Sequence, residues 1–258
     1  MRNYIKSEWY RVTHTSTIYV FTLCLSGLTL LMNLVLWAFD KTEATFPYGT
    51  TAFSLSFLAW SMMLICVVGA ILAVLLFAED KKNGSLKNSI AFGISRTEIF
   101  LGKCVVSTVV SLISLAVILT VYMGSAVLLL EPGVEPNAVW ITLQGVVCVI
   151  PMAVASEILV LALSIRYQKE VLVGIDWYAV MIAVPQICYI LGLKFAPWAK
   201  IAAWMPFNYL KREVLVNMSG WNCLWQTPEG VAKCLISGFI GLIVFLAFGL
   251  LVCKKQEV

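Results

Sequence analysis

Long apolar runs alternate with polar segments along the whole chain, and six of these runs dominate the pattern. They cover residues 17–39, 53–78, 104–130, 138–165, 171–193 and 232–253. A helix rises about 1.5 Å per residue, so each run is long enough to cross the roughly 30 Å of hydrocarbon in a bilayer. The pattern predicts an all-α integral membrane protein in which six transmembrane helices form a single domain over residues 1–258.

The connections between the runs differ in length and character. Residues 79–103 form the most polar stretch, and residues 131–137 form a turn with two prolines and one glycine. The longest connection, residues 194–231, contains three prolines and four tryptophans. Because tryptophan favours the membrane–water interface, we expect this outer loop to form short helices on the outer leaflet. The tryptophans expected at that interface are Trp198, Trp204, Trp221 and Trp225.

Composition excludes several classes of protein. Apolar residues make up 61% of the chain and charged residues 12%, whereas soluble domains average about 45–50% and about 25%. A soluble fold of 258 residues has too little interior to hide that much apolar surface. The single histidine, His14, excludes His-rich metal sites, and the eight cysteines contain no C-x-x-C pair. The sequence therefore predicts a membrane protein that is not itself an enzyme.

Positive charge is distributed unevenly between the two predicted sides of the membrane. With both termini inside, 12 of the 18 Lys and Arg residues face the cytoplasm, and five of the other six lie between Lys194 and Lys233. Because cytoplasmic loops carry an excess of Lys and Arg, both termini are predicted to be cytoplasmic. Acidic lipid headgroups account for the net charge of +4 better than nucleic acid does.

Residues 1–15 have the pattern of a basic amphipathic helix, with Tyr4, Ile5, Trp9 and Val12 on one side. Such a helix lies in the interface of the inner leaflet, and a frayed tail is the alternative. The apolar run that follows exceeds 20 residues and has no small-residue cleavage site after it. We therefore expect that run to be a membrane span and not a signal peptide.

Residues 79–103 have features that predict a short, exposed amphipathic helix. Leu86, Ile90 and Ala91, with Phe92 alongside, supply its apolar side, and Gly93 ends it. A helix of this kind docks into a groove of a partner protein or lies against lipid headgroups, and the pattern alone leaves both possibilities open.

The same segment resembles the cytoplasmic loop of ABC-2 type permeases, which are the membrane subunits of ABC exporters. The residues that match are Asp80, Gly84, Ser85, Leu86, Lys87, Gly93, Arg96, Gly102 and Lys103. In that family the loop forms a coupling helix seated in a cleft of a separate ATPase. The residues implied to couple to the ATPase here are Asp80, Gly84, Ser85, Leu86, Lys87, Ile90, Phe92, Gly93 and Arg96.

The resemblance also implies partners, cargo and location. Two ATPase subunits would hold the ATP and Mg²⁺, this chain would hold no cofactor, and a second permease, identical or related, would complete the path. The segment Lys6–Arg11 is similar to the start of the branch that confers immunity to lantibiotics and bacteriocins. The implied function is export of an amphipathic peptide antibiotic, or a similar hydrophobic cargo, out of a bacterial plasma membrane.

A nucleotide-binding loop is not expected on this chain. The phosphate-binding pattern G-x-x-x-x-G-K-[ST] needs a glycine five residues before Gly102 and a hydroxyl after Lys103. Thr97 and Cys104 occupy those two positions. ATP hydrolysis is therefore expected on a separate polypeptide.

Two acidic residues, Glu157 and Asp176, lie within predicted spans that are joined by the short elbow at residues 166–170. Charged groups at such depth are costly and usually face protein or water. Arg166 or Lys169 is placed to fold back and neutralise one of them. The acids are open to three interpretations, namely a structural contact, a part of the transport path, or a proton-coupling group.

Two other functions remain open at the level of sequence. One is an ATP-independent, ion-coupled carrier or channel centred on Glu157 and Asp176. The other is a non-transporting membrane partner that senses peptides. The tryptophan-rich outer loop is interpreted either as an exit gate that contacts peptide or as a lid that closes the assembly.

Overall fold

Apolar helices form most of the molecule. They are seen in a computed structural model that describes residues 1–43, 46–83, 89–167, 169–217 and 220–257, without the side chains of 79–83 and 255–257. The elements are α1 (Arg2–Thr13), α2 (Ser16–Thr42), α3 (Thr51–Trp60), α4 (Met63–Asn83), α5 (Arg96–Leu129), α6 (Ala138–Arg166), α7 (Glu170–Tyr178), α8 (Val184–Gly192), α9 (Ala196–Ala203), α10 (Pro206–Arg212), β1 (Val214–Asn217), β2 (Gly220–Cys223) and α11 (Pro228–Glu257).

Five helical segments in the described part of the chain are long and apolar enough to cross a membrane. They are α2, α5, α6, the segment Glu170–Gly192, and Pro228–Lys254 of α11. Each coincides with one of the predicted apolar runs. The number rises to six if the bent pair α3–α4 forms one span.

The second predicted run, residues 53–78, is bent in the middle, and its crossing of the membrane as one span stays a prediction. α3 and α4 meet at a bend of 67°. Near the break, the Ser56 hydroxyl donates to the Phe53 carbonyl at 2.6 Å, and the Ser61 hydroxyl donates to the Phe57 carbonyl. Serine side chains that bond to the backbone in this way bend helices, which accounts for the break.

The segment Glu170–Gly192 is helical throughout but widens in the middle. A π-helical turn at Ala179–Ala183 joins α7 to α8, and Pro185 follows at the start of α8. Proline has no N–H to donate and its ring crowds the preceding turn. The wider turn accommodates that ring without ending the span.

The long outer loop contains the short helices α9 and α10, but it also contains a β-hairpin that the all-α prediction missed. β1 and β2 pair antiparallel, with Val214 opposite Cys223 and Asn217 opposite Gly220. The Asn217 side-chain oxygen accepts a hydrogen bond from the Gly220 N–H at 3.0 Å. The β-branched residues Val214 and Val216 favour a strand, and the bond from Gly220 to Asn217 closes its pairing with β2.

α6 lies at the centre of the bundle. Its most apolar stretch of 18 residues is 72% buried inside the protein, whereas the corresponding stretch of α2 is only 17% buried. α11 approaches α6 closely, since a side chain at Gly238 would lie 2.8 Å from Pro151. The exposed apolar faces of the outer helices are those expected of surfaces that face lipid or another membrane subunit.

The two ends of the bundle are named here by what they contain. The α1 end holds α1, the start of α5 and the end of α11, because Gly102 lies against Tyr4 and Gly249 lies against Phe100. The hairpin end holds β1, β2 and the connections on either side of a backbone bridge between Thr50 and Glu131. The predicted orientation places the α1 end in the cytoplasm, and this orientation stays a prediction.

Candidate functional site

The predicted ATPase-coupling segment lies partly outside the described residues. Gly84, Ser85, Leu86 and Lys87 fall in the undescribed range. Asp80 lies on α4, but its side chain is also outside the described part. The coupling role assigned to these residues therefore stays a prediction.

The end of that segment is described and is a helix terminus. Residues 89–91 are helical, and Gly93 has a left-handed backbone with φ +83°. The Gly93 N–H donates to the Ile90 carbonyl at 2.9 Å, and the Ile94 N–H donates to the Ser89 carbonyl at 3.2 Å. This pair of bonds is a Schellman motif, in which glycine at the left-handed position ends the helix, as the sequence predicted.

Phe92 projects from this terminus, and its side chain is 87% exposed. Ile90 is also exposed. Three residues further on, the Ser95 hydroxyl accepts a hydrogen bond from the Glu98 N–H and caps α5, whose first residue is Arg96. An exposed aromatic side chain thus lies a few residues from the start of the longest helix, where a force on it would reach α5.

A buried ion pair joins α1 to α5 at the same end. The Lys103 ammonium lies 2.7 Å from the Glu8 carboxylate, and both side chains are buried. Arg11 forms a second ion pair with the same carboxylate oxygen at 2.6 Å. Gly102 allows the close approach, because a side chain there would meet the Tyr4 ring at 2.6 Å. α1 is therefore fixed to the first turns of α5.

This contact corrects the predicted orientation of α1. Tyr4, Glu8 and Val12 form its buried stripe at four-residue spacing, whereas Trp9 is exposed. The prediction placed Tyr4 and Trp9 on one apolar side because it followed hydrophobicity alone. A carboxylate on the buried side is tolerated because two cations neutralise it.

Because of this ion pair, we expect α1 to detach from α5 at acidic pH. Burial raises the pKa of Glu8, but the Lys103 and Arg11 charges lower it further, so the pKa lies below its usual value of 4.5. A depressed carboxyl pKa gives stability that is present above the usual pKa and is lost as the pH falls through the lowered value. Amide hydrogen exchange of residues 2–13, corrected for intrinsic rates, should therefore stay slow at pH 4.5 and quicken only below it. In Glu8→Gln this pH step should be missing, and an identical step in that variant would contradict the assignment.

Glu157 is buried between α6 and α5, and its partners are hydroxyl groups. Ser107 donates to one of its carboxyl oxygens, and Ser111 donates to the same oxygen at 2.9 Å. Within the described part of the chain, no cation lies within ion-pairing distance of it. Arg166 and Lys169 therefore do not pair with this one of the two acids, and Glu157 instead links two helices.

Asp176 has a different partner. Its carboxylate accepts a hydrogen bond from the Tyr167 hydroxyl at 2.6 Å, and the Arg166 guanidinium lies 5.4 Å from the centroid of the Tyr167 ring. The structure brings Arg166 and Asp176 to the same tyrosine but pairs neither of them with Glu157. Glu157 and Asp176 therefore do not share a hydrogen-bond partner.

The four tryptophans of the outer loop do not share one environment. Trp198 and Trp204 are exposed and Trp221 is half-buried, as the prediction of an interface requires. Trp225 is buried, and its indole N–H donates to the Ile141 carbonyl at 2.7 Å. The placement of Trp225 at a half-wet interface was wrong.

A polar network at the hairpin end escaped the sequence-based list of sites. Asn33 is buried, and its amide donates to the Tyr122 carbonyl at 2.9 Å and to the Ser125 hydroxyl at 2.7 Å. The Ser54 hydroxyl donates to the Asn33 carbonyl oxygen at 2.6 Å. In the sequence, this network is indicated by an asparagine inside an apolar run. Such an asparagine needs a hydrogen-bond partner, but the sequence does not identify that partner. The network fixes α3 against α2 and α5.

These features define the class of the protein. It is a multi-pass helical membrane protein whose buried polar groups join its helices. Gly102 and Lys103 lie inside α5 and not in a phosphate-binding loop. Within the described residues, no group of three or more His, Cys, Asp or Glu side chains is placed to hold a metal ion.

The family is shown by comparison with known proteins. A family model described as "ABC-2 family transporter protein" matches residues 4–186, which is more than half of the chain. The chain therefore belongs to the ABC-2 transporter family. Proteins of this family are membrane subunits for transport that typically pair with ABC ATPase subunits. A search of curated proteins finds no match.

Proposed function

We propose that this chain is the permease subunit of an ATP-driven ABC-2 exporter in a bacterial plasma membrane. Its cargo would be an amphipathic peptide antibiotic or a similar hydrophobic molecule. The observation that supports the proposal most directly is the exposed Phe92 beside the start of α5 in a member of this family. An exposed aromatic side chain at a helix terminus is suited to anchor a partner protein.

The contacts around α5 suggest how motion would pass from an ATPase to the spans. A partner that holds Phe92 pushes on the capped start of α5. α1 moves with α5 because Glu8 and Lys103 join them, and α6 is linked through the serine hydroxyls that bond to Glu157. ATP and Mg²⁺ would be held by the partner ATPase, and a second permease would complete the path.

The first test is loss of the ATPase after Phe92→Asp. The chain would be purified from native membranes in mild detergent, and co-purifying proteins with a phosphate-binding loop would be measured by mass spectrometry. We expect a drop of about tenfold or more in captured ATPase, since truncated interface anchors commonly cost that much.

The matched control is Val134→Asp, because Val134 is also highly exposed, at 70%, but lies in the connection at the opposite end of the bundle. That variant should retain the ATPase at the wild-type level. Equal losses in both variants would indicate a general effect of the added charge. An unchanged amount of ATPase with Phe92→Asp would refute docking at this surface.

The ion-coupled carrier is not favoured by a specific observation. It needs Glu157 and Asp176 to act together, but the hydrogen bonds of Glu157 lead to α5 and that of Asp176 leads to Tyr167, just after the end of α6. The peptide-sensing function likewise has no contact in its support, so one function is proposed.

A further inference from the structure

Two neighbouring cavities at the hairpin end lie along the same helix, α3. The first has a volume of about 250 Å³ and opens between the hairpin and the connections that flank the Thr50–Glu131 bridge. Its polar and aromatic walls include Glu135, Asn217 and Trp221. It therefore combines a carboxylate with an aromatic ring, which suits a ligand with a cationic group.

The second cavity is an apolar groove of about 410 Å³ on the side of the bundle. Met32 and Leu36 of α2 line one wall, and Phe57 and Trp60 of α3 line the other. The two cavities share three lining residues, which are Phe53, Ser56 and Val216. A single ligand can therefore place a polar end in the first cavity and an apolar part in the second.

α3 is a rigid wall between the two cavities. It is fixed to α2 by the bond from Ser54 to Asn33 and to α5 by the Thr51 hydroxyl, which donates to the Ala126 carbonyl at 3.1 Å. The bend of 67° between α3 and α4 sets the direction of this short helix. A wall that is ordered before binding lowers the entropy cost of taking up a ligand.

The charges at this end indicate which ligand fits. The connections over residues 40–50 and 130–137 contain four acids, Asp40, Glu43, Glu131 and Glu135, and one base, Lys41. The rest of the hairpin end, residues 193–233, contains five bases and two acids. Among the described residues that line the first cavity, Glu135 alone is charged, so this cavity favours a cation and disfavours an anionic lipid headgroup.

We propose that these two cavities form a binding site for a cationic amphipathic peptide. An amine of the peptide lies near Glu135 and Trp221, and its apolar side chains lie along Phe57 and Trp60. This inference rests on the proposed export function and names the class of cargo and the surface that holds it at the hairpin end.

The test uses a synthetic peptide of lysine and leucine residues that carries a photoreactive benzophenone. The purified chain, without any ATPase, would be placed in lipid nanodiscs, irradiated with the peptide and mapped by mass spectrometry. We expect labels on α3 and on β1–β2, with labelling reduced about tenfold by Trp60→Ala and about fivefold by Glu135→Gln. A peptide with glutamate in place of lysine should not label this site.

Two variants serve as matched controls. Trp140 is as exposed as Trp60, at 61% against 57%, but lines neither cavity, so Trp140→Ala should label normally. Glu229→Gln removes an exposed acid from the mostly basic residues 193–233 and should also leave the labelling unchanged. Both controls guard against a loss of labelling that merely reflects altered surface charge or partition into the lipid.

Three results would overturn the inference. Labels elsewhere on the chain would reject the site, and equal labelling by the glutamate peptide would reject a cationic ligand. Competition by phospholipid alone, without dependence on Glu135, would identify the groove as a lipid contact. This assay contains no ATPase, so a negative labelling result does not affect the test of ATPase docking at Phe92. Likewise, a negative result in the Phe92 test does not affect the measurement of peptide binding.

Discussion

Replacing Trp225 with alanine is expected to lower the free energy of unfolding by about 3–5 kcal/mol, the usual range for a buried aromatic residue changed to alanine. The indole ring is buried, and it packs so closely on α6 that a side chain at Gly145 would lie 2.6 Å from it. Its N–H also donates to the Ile141 carbonyl. Trp225→Ala thus removes a large apolar contact and the hydrogen bond from the indole N–H to the Ile141 carbonyl.

The measurement is the unfolding midpoint of the purified chain in mixed micelles as the fraction of denaturing detergent rises. Trp198→Ala is the matched control, since Trp198 is exposed and its loss should change stability by less than about 0.5 kcal/mol. Trp225→Phe should fall between the two, because it retains most of the ring and loses the hydrogen bond. Equal midpoints for Trp225→Ala and Trp198→Ala would show that Trp225 does not anchor the outer loop to α6.

The contrast between these tryptophans shows where sequence-based prediction reached its limit. Apolar length is a local property, so the apolar runs located α2, α5, α6, α11 and the segment Glu170–Gly192 correctly. The environment of a tryptophan in a loop is decided by what lies across from it. Trp225 is buried because Gly145 on α6 leaves room for its ring, and that pairing is distant in sequence.

Breaks and hairpins were missed for a related reason. The bend at Ser61 lies inside a run that is mostly apolar, and β1 follows residues with a helical pattern. At the bend, serine hydroxyls that bond to the backbone outweigh the helical preference of the run, and at β1 the β-branched valines favour a strand over a helix. Resemblance to a family gave the class of the protein, which the match over residues 4–186 confirmed, but it did not predict these local features.

The polar contacts of the candidate site were only half predictable. Buried Glu157 was recognised as unusual, but its serine partners lie on α5, about 50 residues away in sequence. Lys103, Ser107 and Ser111 recur every four residues on one side of that helix, a pattern that marks a polar stripe. The pattern does not say which helices face the stripe, and only the fold shows that α1 faces Lys103 and α6 faces the serines.

Glu8→Leu is expected to destabilise the protein by about 3–5 kcal/mol, because that is the usual cost of breaking a buried ion pair by removing one of its partners. The Lys103 ammonium is buried between α1 and α5 and lies 5.5 Å from the centroid of the Phe77 ring. Arg11 is less deeply buried and can turn toward water when the carboxylate is lost. The cost therefore arises mainly at Lys103, and it should appear as a lower unfolding midpoint together with faster hydrogen exchange over residues 2–13.

The double variant Glu8→Leu with Lys103→Met separates the cost of keeping a buried Lys103 charge without Glu8 from the value of the contact between α1 and α5. It should recover most of the lost stability, since apolar residues of similar size often replace a buried ion pair without loss. Coupling to the ATPase should then survive in the double variant and weaken in Glu8→Leu alone, if α1 and α5 must move together. If the double variant is as unstable as Glu8→Leu alone, the charges themselves hold α1 to α5. Apolar packing then cannot replace the ion pair.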